Sequence, residues 1–96
     1  MPNYIVLYRF TDQGLQSIKG TVKRAREVRA ENEKRGFKVL GMYWTQGRYD
    51  LVAVMDAPSE EAMTAGLFNV AEAGNVHSET LRAFTEAEME KALGAG

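Results

Sequence analysis

The chain has 96 residues, 45% of them hydrophobic and 26% charged, with a net charge of −1. That bounds it to one small globular domain spanning residues 1–96 and supplies no bulk charge for nucleic acid or an acidic membrane. With no cysteine, disulfides, thiolate metal sites and cysteine nucleophiles are excluded.

The N-terminal "MPNYIVLYRF" is interrupted by Arg9, so it is too short and polar for a signal peptide. No stretch approaches the roughly 20 apolar residues of a membrane span. A cytoplasmic protein is expected. "YIVLYRF" (residues 4–10), rich in β-branched and aromatic residues, predicts a first strand. "TDQG" follows as a turn in which Thr11 or Asp12 caps a helix. Apolar Leu15, Ile18, Val22, Ala25 and Val28 recur at helical spacing, broken at Gly20-Thr21 and ended by Gly36. "FKVLGMYWTQ" and "YDLVAVMDA" predict strands 2 and 3, joined by a hairpin in which Gly47 takes positive φ. Ser59 caps the next helix, with Glu60 and Glu61 at its positive end and Met63, Leu67, Val70 and Ala71 as its apolar face. "NVHSETLRAF" predicts strand 4. Thr85 and Glu88 then form a capping box for a short terminal helix.

This β-α-β-β-α-β order defines a ferredoxin-like α+β fold with a four-stranded antiparallel sheet of order 4-1-3-2. That topology gathers Arg9, Tyr43, Trp44, Thr45, Arg48, Tyr49, Asp50, His77 and Glu79 at one end of the sheet. Along strand 3, Leu51, Ala53 and Met55 alternate with Val52 and Val54, while on strand 2 Leu40, Met42 and Trp44 oppose Val39 and Tyr43. Both sheet faces are therefore apolar, and two helices can cover only one. A second copy of the chain is the expected cover for the other, giving a homodimer or higher oligomer of the dimeric α+β barrel type.

The stretches "YIVLYRFTDQGLQSIK", "GMYWTQGRYDLVAVMDAP" and "GNVHSETLRAFTEAE" occur in the order seen in the GYD domain family, which the chain resembles over nearly its whole length. The Gly-x-Tyr-Asp signature of that family is here Gly47, Tyr49 and Asp50. The resemblance implies a small ferredoxin-like domain. It carries no catalytic residues with it, and it implies Arg at position 77, where this chain has His77.

For chemistry, Asp50 and His77 are the candidate acid/base groups. Arg9, Tyr43, Trp44, Tyr49, Asp50 and His77 are the candidate rim of a small-molecule pocket. The competing reading of the signature is structural: Gly turns, Tyr packs, Asp accepts hydrogen bonds or pairs with Arg9 or Arg48. His77 and Glu79 share one face of strand 4, but no metal-ligand spacing accompanies them, so neither a metal nor a cofactor is expected. Aromatic residues on such a sheet suggest RNA-binding modules, yet "YDLVAVMD" has aliphatic residues where stacking rings belong. Nucleic acid is not expected. From Lys19 to Lys38 eight cations face three anions, whereas Asp56 to Lys91 carries a net −6. This reads as solvated helix faces with i,i+4 pairs such as Glu27–Lys23 and Glu31–Arg35, or as complementary charge across a subunit contact. Three functional classes follow: a homo-oligomeric small-molecule-binding module, a cofactor-independent enzyme of the oxygenase or isomerase kind, and a structural or regulatory oligomer without ligand.

Overall fold

A computed structural model describes residues 1–94. Strands β1 (Asn3–Phe10), β2 (Lys38–Trp44), β3 (Leu51–Asp56) and β4 (Val76–Ala83) form one antiparallel sheet of order β2-β3-β1-β4, the expected order read from the other edge. Helix α1 (Asp12–Gln16), a 3-10 turn (Ile18–Gly20) and α2 (Thr21–Lys34) connect β1 to β2, and α3 (Glu60–Glu72) connects β3 to β4. Helix α4 (Glu86–Ala92) follows β4. None of the described helices is long and apolar enough to cross a membrane.

Strand parity settles which face the helices cover. Tyr4, Val6 and Tyr8 of β1 lie opposite Met55, Ala53 and Leu51 of β3, and this set turns inward with Phe37, Ala57 and Met63. Val6 is wholly buried. On β4 the same face carries Val76, Ser78, Thr80 and Arg82. That polar edge strand suits its position, because an apolar edge would invite further strand pairing.

Strict alternation on β2 would place Val39 with Tyr43. A β-bulge between Val39 and Gly41 instead opposes Val39 to Met55 and Met42 to Ala53, so both face the helices, and leaves Leu40 exposed. One extra residue flips the alternation.

The helix ends follow the caps. Thr11 Oγ1 accepts from Gly14 N–H, Ser59 Oγ from Ala62 N–H, and Thr85 with Glu88 completes the capping box. Gly36 ends α2 at φ 92° and Gly74 ends α3 at φ 80°. Of the two expected helix pairs, Glu31–Arg35 forms at 3.7 Å and Glu27–Lys23 does not form among the described residues; Arg29–Glu33 forms instead at 3.1 Å, and both pairs are exposed. Such pairs contribute little each, about 0.3–0.5 kcal/mol.

The start of α1 is latched to the end of α3. Thr11 N–H donates to Asn75 O (3.0 Å), Thr11 Oγ1 to Gly74 O (2.6 Å) and Gln13 Nε2 to Ala73 O (3.0 Å). This leaves no room at Gly14, where a Cβ would stand 2.2 Å from Asn75 O. At Gly66, inside α3, a Cβ would meet the Phe37 ring at an ordinary 3.6 Å. The two glycines therefore respond oppositely to alanine. Gly14→Ala should lose about 2 kcal/mol or more through overpacking, while Gly66→Ala should gain about 0.5–1 kcal/mol from helix propensity. Chemical denaturation of both variants checks the pair of signs.

Candidate functional site

The β2–β3 hairpin builds the signature. Gly47 turns the chain at φ 101° with nothing near it. Thr45 closes the loop from inside, its N–H donating to Asp50 O (2.9 Å) and its hydroxyl to Tyr49 O (2.7 Å). Asp50 then joins the hairpin to β1. Its own N–H donates to Tyr8 O (2.8 Å), and its Oδ2 accepts from Phe10 N–H (2.9 Å). The β1–β3 ladder ends at Tyr8–Leu51, so Phe10 has no β3 residue opposite it. The Asp50 carboxylate supplies the acceptor that a longer strand would have offered.

Tyr49 reaches the far side of the sheet. Its hydroxyl donates to Glu79 Oε2 on β4, across the intervening strand β1. The bond to a carboxylate raises the Tyr49 phenol above its ordinary value; burial adds to the rise, while Arg48 and Arg9 oppose it. Glu79 lies opposite Leu7, and Leu7 opposite Val52, so this bridge lies on the face without helices. His77 is exposed and pairs in register with Arg9 on the same face.

The structure thus brings Arg9, Tyr49, His77 and Glu79 together at one end of the helix-free face. Tyr43 occupies the same row of the sheet, opposite Val52, and is 62% exposed. Trp44 turns the other way, its Nε1 donating to Thr21 Oγ1 at the start of α2 (3.2 Å). Asp50 is adjacent but its carboxylate is engaged with backbone. Among the described residues no three His, Asp or Glu side chains are grouped to hold a metal ion.

The helix-free face is otherwise apolar: Ile5, Leu7, Val52, Val54 and Leu81 alternate with the buried set, and Leu40 and Tyr43 flank them. A concavity lies on the opposite face. Helices α2 and α3 close over the sheet at the Phe37–Met63 end but part at the other, leaving a cleft of about 250 Å³. Tyr8, Leu51, Met42, Val28, Val70 and Val76 wall it, with Arg24, Glu31, Arg35 and Asn69 among its polar lining. The expected rim residues do not border this cleft. What the sequence offered as a signal was the run of truncated side chains Ala25, Gly66 and Ala73 at helix positions facing the gap. Burial against this cleft pushes the Tyr8 phenol up to about 12.

An antiparallel βαββαβ sheet with a helix-free apolar face defines a ferredoxin-like α+β domain. The chain belongs to the GYD domain family, whose pattern matches residues 4–93. It is similar to the glutamine synthetase and cystathionine beta-lyase binding protein of Thermus thermophilus. The two are 32% identical over 90 residues, which cover 93% of this chain and 95% of that protein. Among solved structures it resembles MtbAldR (Rv2779c), with a TM-score of 0.68 at 14% identity, over 88% of this chain and 52% of that one. The chain spans about half the length of that protein, and at such identity the likeness concerns the fold alone.

Two outcomes follow from these side chains. Asp50→Ala should destabilise the fold by about 1–3 kcal/mol, because it strands the Phe10 N–H; equilibrium unfolding in urea measures this, and an unchanged midpoint would contradict the scaffold role. In alkali, the folded chain holds the Tyr8 and Tyr49 protons longer than the unfolded chain does. For Tyr8 this contribution is complete below pH 10 and is lost as pH rises toward about 12. Tyr8 alone should account for about 2–3 kcal/mol of that loss, so Tyr8→Phe should flatten the alkaline limb of the stability curve. Glu79→Gln should bring the Tyr49 titration back toward the ordinary value, read by ultraviolet difference spectroscopy.

Proposed function

We propose that this chain is a homodimeric binding module that acts in the cytoplasm by docking on other proteins, enzymes among them, and has no catalysis of its own. The observation that carries the dimer is the helix-free sheet face, an apolar surface centred on Leu7, Val52 and Val54. Its exposure is reflected in the total area. The chain presents 6597 Å² to solvent, against about 5,500 Å² for a compact monomer of its mass. A two-fold sheet-to-sheet contact sets each apolar row against a copy of itself, the self-complementary arrangement of a closed dimer.

The absence of catalysis is supported by what the candidate residues are bonded to. Asp50 is held by Phe10 N–H and Tyr49 by Glu79. His77 is exposed and has no carboxylate within ion-pair distance among the described residues. An acid/base pair needs both groups free and within reach of one substrate proton. The docking role is supported by the Thermus relative, whose name records binding to glutamine synthetase and cystathionine beta-lyase.

Val54→Lys puts a charge in the centre of the apolar face while leaving the helix face untouched. The wild-type chain should sediment as a dimer and V54K as a folded monomer. A wild-type chain that sediments as a monomer at high micromolar concentration would overturn the dimer. Glutamine synthetase and cystathionine beta-lyase from the same host, immobilised separately, test docking. Retention of the wild-type chain on neither enzyme would remove the support taken from the relative.

A further inference from the structure

The two walls of the α2–α3 cleft are tied to different strands of the sheet. Helix α2 is tied to the edge strand β2, where Trp44 Nε1 donates to Thr21 Oγ1 at 3.2 Å and Arg29 Nη2 donates to Val39 O at 3.4 Å. Helix α3 is tied to the end of β1, because Thr11, the next residue, donates to Gly74 O and Asn75 O at the C-terminus of that helix. The Phe37 ring reaches Gly66 from the closed end. Beyond it the walls present Ala25 and Ala73, whose side chains are too short to fill the gap. Drawing the helices together would strain these ties, so the cleft of about 250 Å³ is preformed.

The lining decides what such a space can hold. It has three charged residues, and none is placed to take up a second charge. Arg24 Nη1 is engaged by Ser17 O and Nη2 is closed to solvent, while Glu31 and Arg35 pair with each other at 3.7 Å. The Tyr8 phenol, pushed up to about 12, is neutral at physiological pH. A charged ligand would give up hydration here and find no counter-charge. The rest of the surface is mainly apolar, from Tyr8, Val28, Met42, Leu51, Val70 and Val76. Walls around an empty space forfeit dispersion contacts, and an apolar guest restores them. An apolar cavity of about 150 Å³ admits a benzene ring, so this larger one accommodates a bigger ring system or a branched chain.

We propose that the α2–α3 cleft binds a compact uncharged apolar molecule, up to about two fused rings in size, held against Tyr8, Leu51 and Val70 by shape and by exclusion of water. The cleft lies across the sheet from the helix-free face, so this site goes beyond the docking function and stands or falls separately from the dimer.

The test is amide-resolved NMR of the full ¹⁵N-labelled chain. Indole and 4-methylpentan-1-ol are the neutral probes. Each is run beside charged analogues: indole-3-acetate and tryptamine for the first, 4-methylpentanoate and 4-methylpentylamine for the second. At least one neutral probe should shift the amides of Ala25, Gly66 and Val70 saturably, with its charged analogues weaker by about tenfold or more. Filling the space from either wall, with Ala25→Leu on α2 or Val70→Phe on α3, should remove binding, and the spectra themselves report whether each variant is folded. The wild-type titrations decide alone where a variant does not fold. The proposal is overturned if no neutral probe saturates these shifts, if charged analogues bind alike, if either folded variant keeps the wild-type affinity, or if the shifts map to the helix-free face.

Discussion

A four-stranded sheet has two faces, and this chain has helices enough for one. The constraint would be harmless if the second face were polar, but β1 and β3 are the central strands and carry aliphatic residues on both sides. Tyr4, Val6 and Tyr8 point to the helices, and Ile5 and Leu7 point away. Inward alternation alone would have been met by polar residues at the outward positions, as in a half-solvated antiparallel sheet. The observed pattern instead fits strands buried on both sides. Placement of the helices thereby decides which apolar face is left without cover.

The signature residues serve the same architecture. A tight hairpin ends two residues short of the end of β1, and Asp50 closes the gap with a side-chain acceptor where strand backbone runs out. Tyr49 uses the reach of its ring to span β1 and fasten to β4. Hairpin, central strand and far edge are tied together at one end of the sheet by two side chains. Aspartate and tyrosine at those positions are explained by geometry, without a reacting substrate.

Much of this was legible in the sequence because it depends on local chemistry. Thr11, Ser59 and the Thr85–Glu88 box act within one turn, and Gly36, Gly47 and Gly74 are needed by their own backbone angles. The split βαβ order follows from the sequence of elements. Other features depend on partners far along the chain. The β2 bulge depends on how Val39 and Met42 of "KVLGMYW" pair with Met55 and Ala53 of β3, partners that the stretch itself does not contain. Trp44 was grouped with the rim because the topology puts it at the same end of the sheet, although it turns to the helix face there. The tie from Tyr49 to Glu79 joins residues thirty positions apart. The α2–α3 cleft shows in the sequence only through Ala25, Gly66 and Ala73, small side chains on segments far apart in the chain that the fold brings to one gap.

Helix α4 presents the covering problem a second time. At seven residues it is far shorter than a helix that persists on its own in water. Its capping box contributes about 1 kcal/mol at the N-terminus, which does not offset the ordering of the segment. Packing would have to supply the rest, yet Phe84, Met89 and Leu93 are 53%, 44% and 75% exposed. Met89 and Leu93 are four residues apart and share one side of the helix. A radius of gyration of 14.4 Å, against about 12.5 Å for a compact chain of this length, agrees with an arm held away from the body. The sheet face and the arm thus lack cover in the same protomer, and both are apolar. In the proposed dimer a two-fold axis would bring an identical sheet face and an identical arm from the other side.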